Sequence, residues 1–184
     1  MRLFVAVVPP ERAVEDLDEF LSVRREAGAF RWTSPDQWHL TLAFMPAVAE
    51  RHLDDLVERL TRAGHRREPF ELALRGGGAF PDVARAKVLY ADVAQAGPDL
   101  AHLATGVRAS CAKAGAEPEG GRFRGHLTLA RLGRPQDLTN WVRLLDAYDG
   151  PAWTVEEFVL IESHLGEGPR RRPRYAVLET FALG

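Results

Sequence analysis

Leu3 to Val8 is an unbroken apolar run that Pro9-Pro10 ends, so the chain opens on a buried strand. A helix is expected next, acidic in its first turn at Glu11, with Val14, Leu17 and Leu21 on its inner face. After Gly28, Phe30 to Trp32 reads as a short strand, and a turn at Ser34-Pro35-Asp36 leads into a strand from His39 to Met45 that Pro46 closes. From Glu50 to Ala63, Leu53, Leu56, Val57 and Leu60 recur at helical spacing among charged residues and predict an amphipathic helix. Phe70 to Leu74 and Lys87 to Val93 alternate with period two and predict strands, with a turn region at Gly76-Gly77-Gly78 between them.

The second half repeats this plan. Pro98 to Ala114 carries Leu100, Leu103 and Val107 on one helical face, a loop from Gly115 to Gly121 follows, and a strand runs from His126 to Arg131. A short helix from Asp137 to Ala147 turns Leu138, Trp141, Val142 and Leu145 inward. Strands at Val155 to Ser163 and Tyr175 to Leu183, joined by an arginine-rich turn, complete the series. Strands and helices in this order, without regular βαβ alternation, predict an α+β fold with antiparallel sheets rather than a doubly wound one.

Composition narrows the picture. A chain of 184 residues with 46% hydrophobic content supports one sizeable core, and no linker divides it, so residues 1–184 are expected to form a single two-lobed unit. A net charge of −2 argues against a broad basic surface for duplex binding, so any nucleic acid would be engaged locally, at a cleft. Cys111 is the sole cysteine, which precludes an intramolecular disulfide, leaves a cysteine metal site without ligands and suits a reducing cytoplasm. The opening apolar run is shorter than the ~7–15 residues of a signal-peptide core, and no stretch approaches the ~20 apolar residues of a membrane span. The reading is therefore cytoplasmic, with no membrane partner, no obligate protein partner and a monomeric state.

The most informative feature is a repeat. His39-Leu40-Thr41-Leu42-Ala43 and His126-Leu127-Thr128-Leu129-Ala130 are the same five residues set 87 positions apart. In a strand, side chains alternate across the sheet, so the leucines anchor in a core while His39 and Thr41, and likewise His126 and Thr128, share the other face. Two such strands facing one another make a symmetric site. Two imidazoles with ordinary pKa values near 6.5 can hold opposite protonation states, one as general base and one as general acid, while two hydroxyls donate to anionic oxygens. In-line displacement at a phosphate diester needs that set, with no metal and no cofactor. A core leucine pattern accounts for the apolar positions but not for both histidines and both threonines.

The chain resembles the two-histidine phosphoesterase superfamily, and within it the RNA 2′,3′-cyclic phosphodiesterase group, also known as bacterial 2′-5′ RNA ligases. The resemblance runs over nearly the whole chain: Arg2-Leu3-Phe4-Val5-Ala6, Trp38 to Phe44, Gly78-Ala79-Phe80-Pro81, Phe123, His126 to Arg131, Ser163 and Tyr175. It implies a bilobal fold with two pseudo-symmetric antiparallel sheets and flanking helices around a central cleft. It also implies His39 as proton donor, His126 as proton acceptor, and Thr41 and Thr128 on the phosphate of RNA ends or tRNA fragments that carry a 2′,3′-cyclic phosphate. Arg131 matches a family arginine near the phosphate, although strict alternation sets it on the face opposite His126 and Thr128 unless a bulge intervenes. Phe44 and Phe123 are candidates for stacking on a base, or for the core. Met45-Pro46 and Gly125 depart from the family pattern in ways that bear on loop shape more than on chemistry.

The same side chains would serve a 2′-5′ linkage, another cyclic phosphodiester or the reverse ligation, and a noncatalytic RNA-end-binding module is the alternative outside enzymes. Hydrolysis is favoured over ligation because water at ~55 M dominates unless a second RNA is held in place. His52, His65, His102 and His164 lack partners at metal-ligand spacing and read as packed or solvated. Gly76-Gly77-Gly78 lacks the Gly-Lys-Ser/Thr of a phosphate loop. Arg170, Arg171, Arg172 and Arg174 form the one dense basic cluster and read as a solvated hairpin loop, with contact to an RNA backbone near the cleft as the alternative. Cys111, on a helix, reads as buried rather than reactive.

Overall fold

A computed structural model describes every residue from Met1 to Gly184. In chain order the elements are β1 (Leu3–Val7), α1 (Glu11–Ser22), β2 (Arg31–Trp32), β3 (Leu40–Met45), α2 (Leu53–His65), β4 (Phe70–Phe80), β5 (Ala86–Ala94), α3 (Asp99–Lys113), β6 (Leu127–Gln136), α4 (Thr139–Asp146), β7 (Trp153–Val155), β8 (Glu157–His164) and β9 (Arg174–Ala182). The strands run in the order β7-β4-β5-β6-β3-β1-β8-β9, with β2 paired to β6, and every pairing is antiparallel.

The order divides into two halves, β7-β4-β5-β6 and β3-β1-β8-β9, which touch through a single bridge between Leu40 and Leu127. Each half has a histidine strand at its inner edge, β3 paired with β1 and β6 paired with β5, while the short β2 that precedes β3 crosses to β6. The α+β class is as expected, and the two lobes are the halves of one nine-stranded antiparallel sheet. The helices exchange places between them. Helix α3, which leaves β5, packs on β3 and α2, while α1, which leaves β1, reaches the far lobe through side-chain contacts. There Arg12 donates to the Ala152 carbonyl at 2.9 Å, Tyr148 donates to Asp16 at 2.8 Å, and the Phe20 and Tyr148 rings sit 4.9 Å apart.

A core of 42 buried residues lies between sheet and helices, drawing Leu40, Leu42, Leu127 and Leu129 from the motif strands and Leu17, Leu21, Leu56, Leu60, Leu103 and Val107 from the helices. A smaller apolar group, Phe4, Ala6, Val159 and Ile161 with Phe44 and Tyr175 packed on it, covers the opposite face of the β3-β1-β8-β9 half. No helix is long and apolar enough to cross a membrane.

Two expectations need correction. Gly76-Gly77-Gly78 is not the turn between strands; β4 runs through it to Phe80, with a register shift against β5 between Leu74 and Gly77. Gly76 takes φ +73°, a Cβ on Gly77 would lie 2.9 Å from the Tyr90 carbonyl oxygen, and one on Gly78 would collide with the Tyr90 hydroxyl. The glycines keep β4 thin where it passes α4 and Tyr90, so their signal was close approach rather than reversal. Similarly, Val155 to Ser163 is not one strand. The chain breaks at Glu156, leaving β7 on β4 and starting β8 on β1, and a period-two pattern carries no information about which partner each stretch meets.

Candidate active site

In both motif strands the alternation breaks at the same place. Leu40, Leu42 and Ala43 are buried, as are Leu127, Leu129 and Ala130, so two consecutive core residues follow each threonine. The pairing shows why. Against β1 the register steps from Val5–Ala43 to Ala6–Thr41, and against β5 it steps from Leu89–Ala130 to Tyr90–Thr128. One extra residue, Leu42 or Leu129, is accommodated as a bulge, which returns the next residue but one to the face of the histidine and threonine. Phe44 and Arg131, which occupy equivalent places in the two repeats, therefore join that face, and both line the same cavity as His39, Thr41, His126 and Thr128. The bulge is the device that strict alternation requires for Arg131, and it is present twice.

The histidines are fixed alike. His39 Nδ1 lies 2.8 Å from the Gln37 carbonyl oxygen and His126 Nδ1 lies 2.7 Å from that of Arg124. A carbonyl can only accept, so each Nδ1 carries the proton and donates it, and in the neutral ring Nε2 keeps its lone pair. Aromatic rings hold the planes: Phe4 stacks on His39 at 4.6 Å with Tyr175 edge-on at 5.7 Å, and His126 has Phe80 at 4.9 Å and Tyr90 at 5.4 Å, both edge-on.

Burial is the largest influence on both imidazoles and disfavours the charged form. It brings His39 down to about 4, with the positive potential of His126 and Arg131 adding to it and the Gln37 bond opposing. His126 is lowered for the same first reason, with Arg131 and Arg124 adding and the Arg124 carbonyl and Asp92 opposing. Without an anion in the cleft, both rings are neutral near pH 7. Tyr175, its hydroxyl pKa raised chiefly by burial, remains a donor at the cavity wall.

The cavity, about 750 Å³, is strongly cationic for a chain of negative net charge: Arg2, Arg31, Arg131, Arg171 and Arg172 line it against one carboxylate, Glu119. Arg31 and Arg131 are direct cross-strand partners, a like-charge pair that is unfavourable unless something anionic lies between or above it. The Arg2 guanidinium sits 4.4 Å above the Phe44 ring. No group of three or more histidine, cysteine, aspartate or glutamate side chains is arranged to hold a metal ion.

Phe123 is not in this cavity. Half-buried against the core, it lies 5.5 Å from the guanidinium of Arg108, which bonds to the Leu42 and Gly121 carbonyls and braces the back of β3. His52, His65, His102 and His164 are likewise absent from the lining, and Cys111 is buried with its thiol pushed up to about 12. Residues that the motif reasoning did not single out for the site are Phe4, Tyr90 and Tyr175, which flank the histidines, and Arg2 and Arg31, which add charge. Their signal lay in neighbouring strands, where no repeat marks them.

The family model for the 2′-5′ RNA ligase superfamily matches residues 8–167. An RNA 2′,3′-cyclic phosphodiesterase of Thermus thermophilus is 34% identical over 190 residues, covering 100% of this chain and 90% of the relative. Among solved structures, TT0787 of Thermus thermophilus superposes with a TM-score of 0.79 at 32% identity, covering 100% of this chain and 98% of that one. Escherichia coli LigT complexed with 3′-AMP superposes with a TM-score of 0.74 at 28% identity, covering 99% and 96%.

Proposed function

This chain belongs to the 2′-5′ RNA ligase superfamily, and from that membership we propose that it hydrolyses 2′,3′-cyclic phosphate ends of RNA to 2′-phosphomonoesters. One observation carries the reading: two imidazoles, each held through Nδ1 by a backbone carbonyl, share one cationic cavity with two threonines. The relative named above is an RNA 2′,3′-cyclic phosphodiesterase, and E. coli LigT, which shares the fold, was solved as a complex with 3′-AMP; both support this reading.

In the proposed reaction the phosphodiester anion binds between the histidines, its nonbridging oxygens accepting from Thr41, Thr128 and Arg131. Its negative charge opposes the burial and like-charge effects that depress His39, so His39 enters as the imidazolium, with Nδ1–H on Gln37 and Nε2–H on the departing O3′. His126, neutral, accepts a proton from water through Nε2 as the water oxygen bonds to phosphorus. The P–O3′ bond breaks, O3′ takes the His39 proton, and the products are a 2′-phosphate and a free 3′-hydroxyl. The protons then stand exchanged, with His126 charged and His39 neutral, and solvent restores the starting state. Phe44 offers a face for the base. The scheme uses no metal and no cofactor, and the enzyme works as a cytoplasmic monomer, one two-lobed unit of residues 1–184.

Incubation with a nucleoside 2′,3′-cyclic phosphate, followed by phosphorus NMR against authentic monophosphates, tests this. A 2′-monophosphate is expected. A predominantly 3′-phosphate would exchange the donor and acceptor, and binding without turnover would make the protein an RNA-end-binding module instead.

A further inference from the structure

The basic cluster near the end of the chain divides in two. Arg174 pairs with Glu167 at 3.5 Å, and Arg170 stands outside the cavity lining. Arg171 and Arg172 line the cavity of His39 and His126, and neither has a carboxylate within 4 Å. They belong to the 165–173 loop between β8 and β9, whose base is fixed: Gly168 N–H donates to the Arg172 carbonyl at 2.7 Å, and Gln37 Nε2 donates to the Pro173 carbonyl at 2.7 Å. Gln37 thus holds the loop with its side chain and His39 with its backbone oxygen. Leu165 of the same loop is 63% exposed at the cavity wall.

Charge balance sets what this rim is for. A cyclic phosphate carries one negative charge, and the floor already answers it with Arg131, Thr41 and Thr128. Arg2 and Arg31 add to that floor, against Glu119 alone, and the two rim guanidinium groups come on top of them. The cavity thus holds more positive charge than one phosphate uses and can answer a second negative charge at the rim. A mononucleoside cyclic phosphate has none, whereas an RNA end has one in the linkage to the preceding nucleotide. An exposed leucine beside two cations suits an unpaired nucleobase next to its phosphate, and single-stranded RNA ends present both.

We propose that the loop between β8 and β9 is a second RNA subsite, with Arg171 and Arg172 on the phosphodiester that joins the cyclic nucleotide to the one before it and Leu165 against the preceding base. The proposal rests on the phosphodiesterase reading above. It makes oligonucleotides the preferred substrate class, through contacts that do not read sequence.

The test compares kcat/KM for a nucleoside 2′,3′-cyclic phosphate with that for a dinucleotide ending in the same cyclic nucleotide, in wild type and in the R171A/R172A double variant. Wild type should favour the dinucleotide by about tenfold or more, chiefly through KM, and each phosphate neutralised should steepen the log–log salt dependence by roughly 0.7. The double variant should bring the ratio close to one, and R171K/R172K should retain much of it. Equal use of the two substrates by wild type, or a double variant that lowers both by the same factor, overturns the subsite. Failure to turn over either substrate overturns the phosphodiesterase reading instead. The subsite is then decided by binding of a nucleoside 2′-monophosphate against a dinucleotide bearing a 2′-phosphate: tighter dinucleotide binding that the double variant loses supports it, and equal binding ends it.

Discussion

Leu40 and Leu127 hold the same place in the two motifs and pair with each other across the sheet, so the local two-fold axis passes through that bridge. The bridge sets the residue before each leucine, His39 and His126, on either side of the axis. The repeat is thereby converted into a facing pair.

Replacing His39 or His126 by alanine should lower turnover of a cyclic phosphate by ~10²–10⁴-fold, the usual contribution of a positioned acid or base. T41A and T128A should cost less. Turnover measured beside circular dichroism checks both, and a folded variant with undiminished turnover would remove that histidine from the scheme.

The pKa of His39 makes a statement about pH. Above about 6.5 folded and unfolded chains both carry a neutral ring; between 6.5 and 4 the unfolded chain takes up a proton that the folded one refuses, so stability falls as pH drops through this window and levels below it. The loss is about 3 kcal/mol. Denaturant unfolding at several pH values should show a weaker dependence in H39N, and NMR should show His39 titrating near 4 when free and higher when a nucleoside monophosphate binds.

Arg131 lowers both histidine pKa values through its charge. R131A should raise both, read by the same titration, while weakening substrate turnover roughly 10–100-fold through loss of a charged hydrogen bond to the phosphate. R131K should restore the pKa values better than it restores turnover, because lysine supplies the charge without the planar fork.

Gly78 leaves no room for a side chain against Tyr90, whose ring flanks His126. G78A should destabilise the fold by about 1–3 kcal/mol, as overpacking does, and reduce turnover as well. Thermal melts together with kinetics at a temperature where the variant is folded separate the two effects.

Activity should survive EDTA, since the cavity brings together two histidines and one glutamate but no arranged set of ligands. Loss of activity in EDTA with rescue by zinc or manganese would overturn the acid–base scheme.

Element types were legible in the sequence because each stretch kept one period: helical spacing in α1 to α4, apolar or alternating patterns in the strands. The motif residues were legible because they recur. What stayed hidden depends on partners. The glycines of β4 answer to Tyr90 and Leu145, residues far along the chain, and local turn chemistry was the wrong context for them. The change of lobe at Glu156 depends on which edge is free. Phe123 and Phe44 looked alike beside their motifs, yet Phe44 shares the bulged strand with Thr41 while Phe123 precedes β6 and turns to Arg108. The arginine cluster of the β8–β9 loop left solvent and RNA backbone both open, and which of its members face the cleft, Arg171 and Arg172, depends on how the loop folds back.

The exchange of helices between lobes has a dynamic consequence. Because α1 leaves β1 to lie on the far lobe and α3 leaves β5 to lie on β3, each lobe is strapped to the other by a helix. Swinging the lobes apart as a hinge would tear α1 or α3 from its bed, exposing Leu17, Leu21, Leu103 and Val107 to water. The straps thus oppose a hinge motion that would change the spacing of the imidazoles, and on the proposed function admission of RNA falls to side chains and loops at the rim. On the proposed scheme, an enzyme built this way spends little of its binding energy on closure and meets the phosphate with its acid and base already in place.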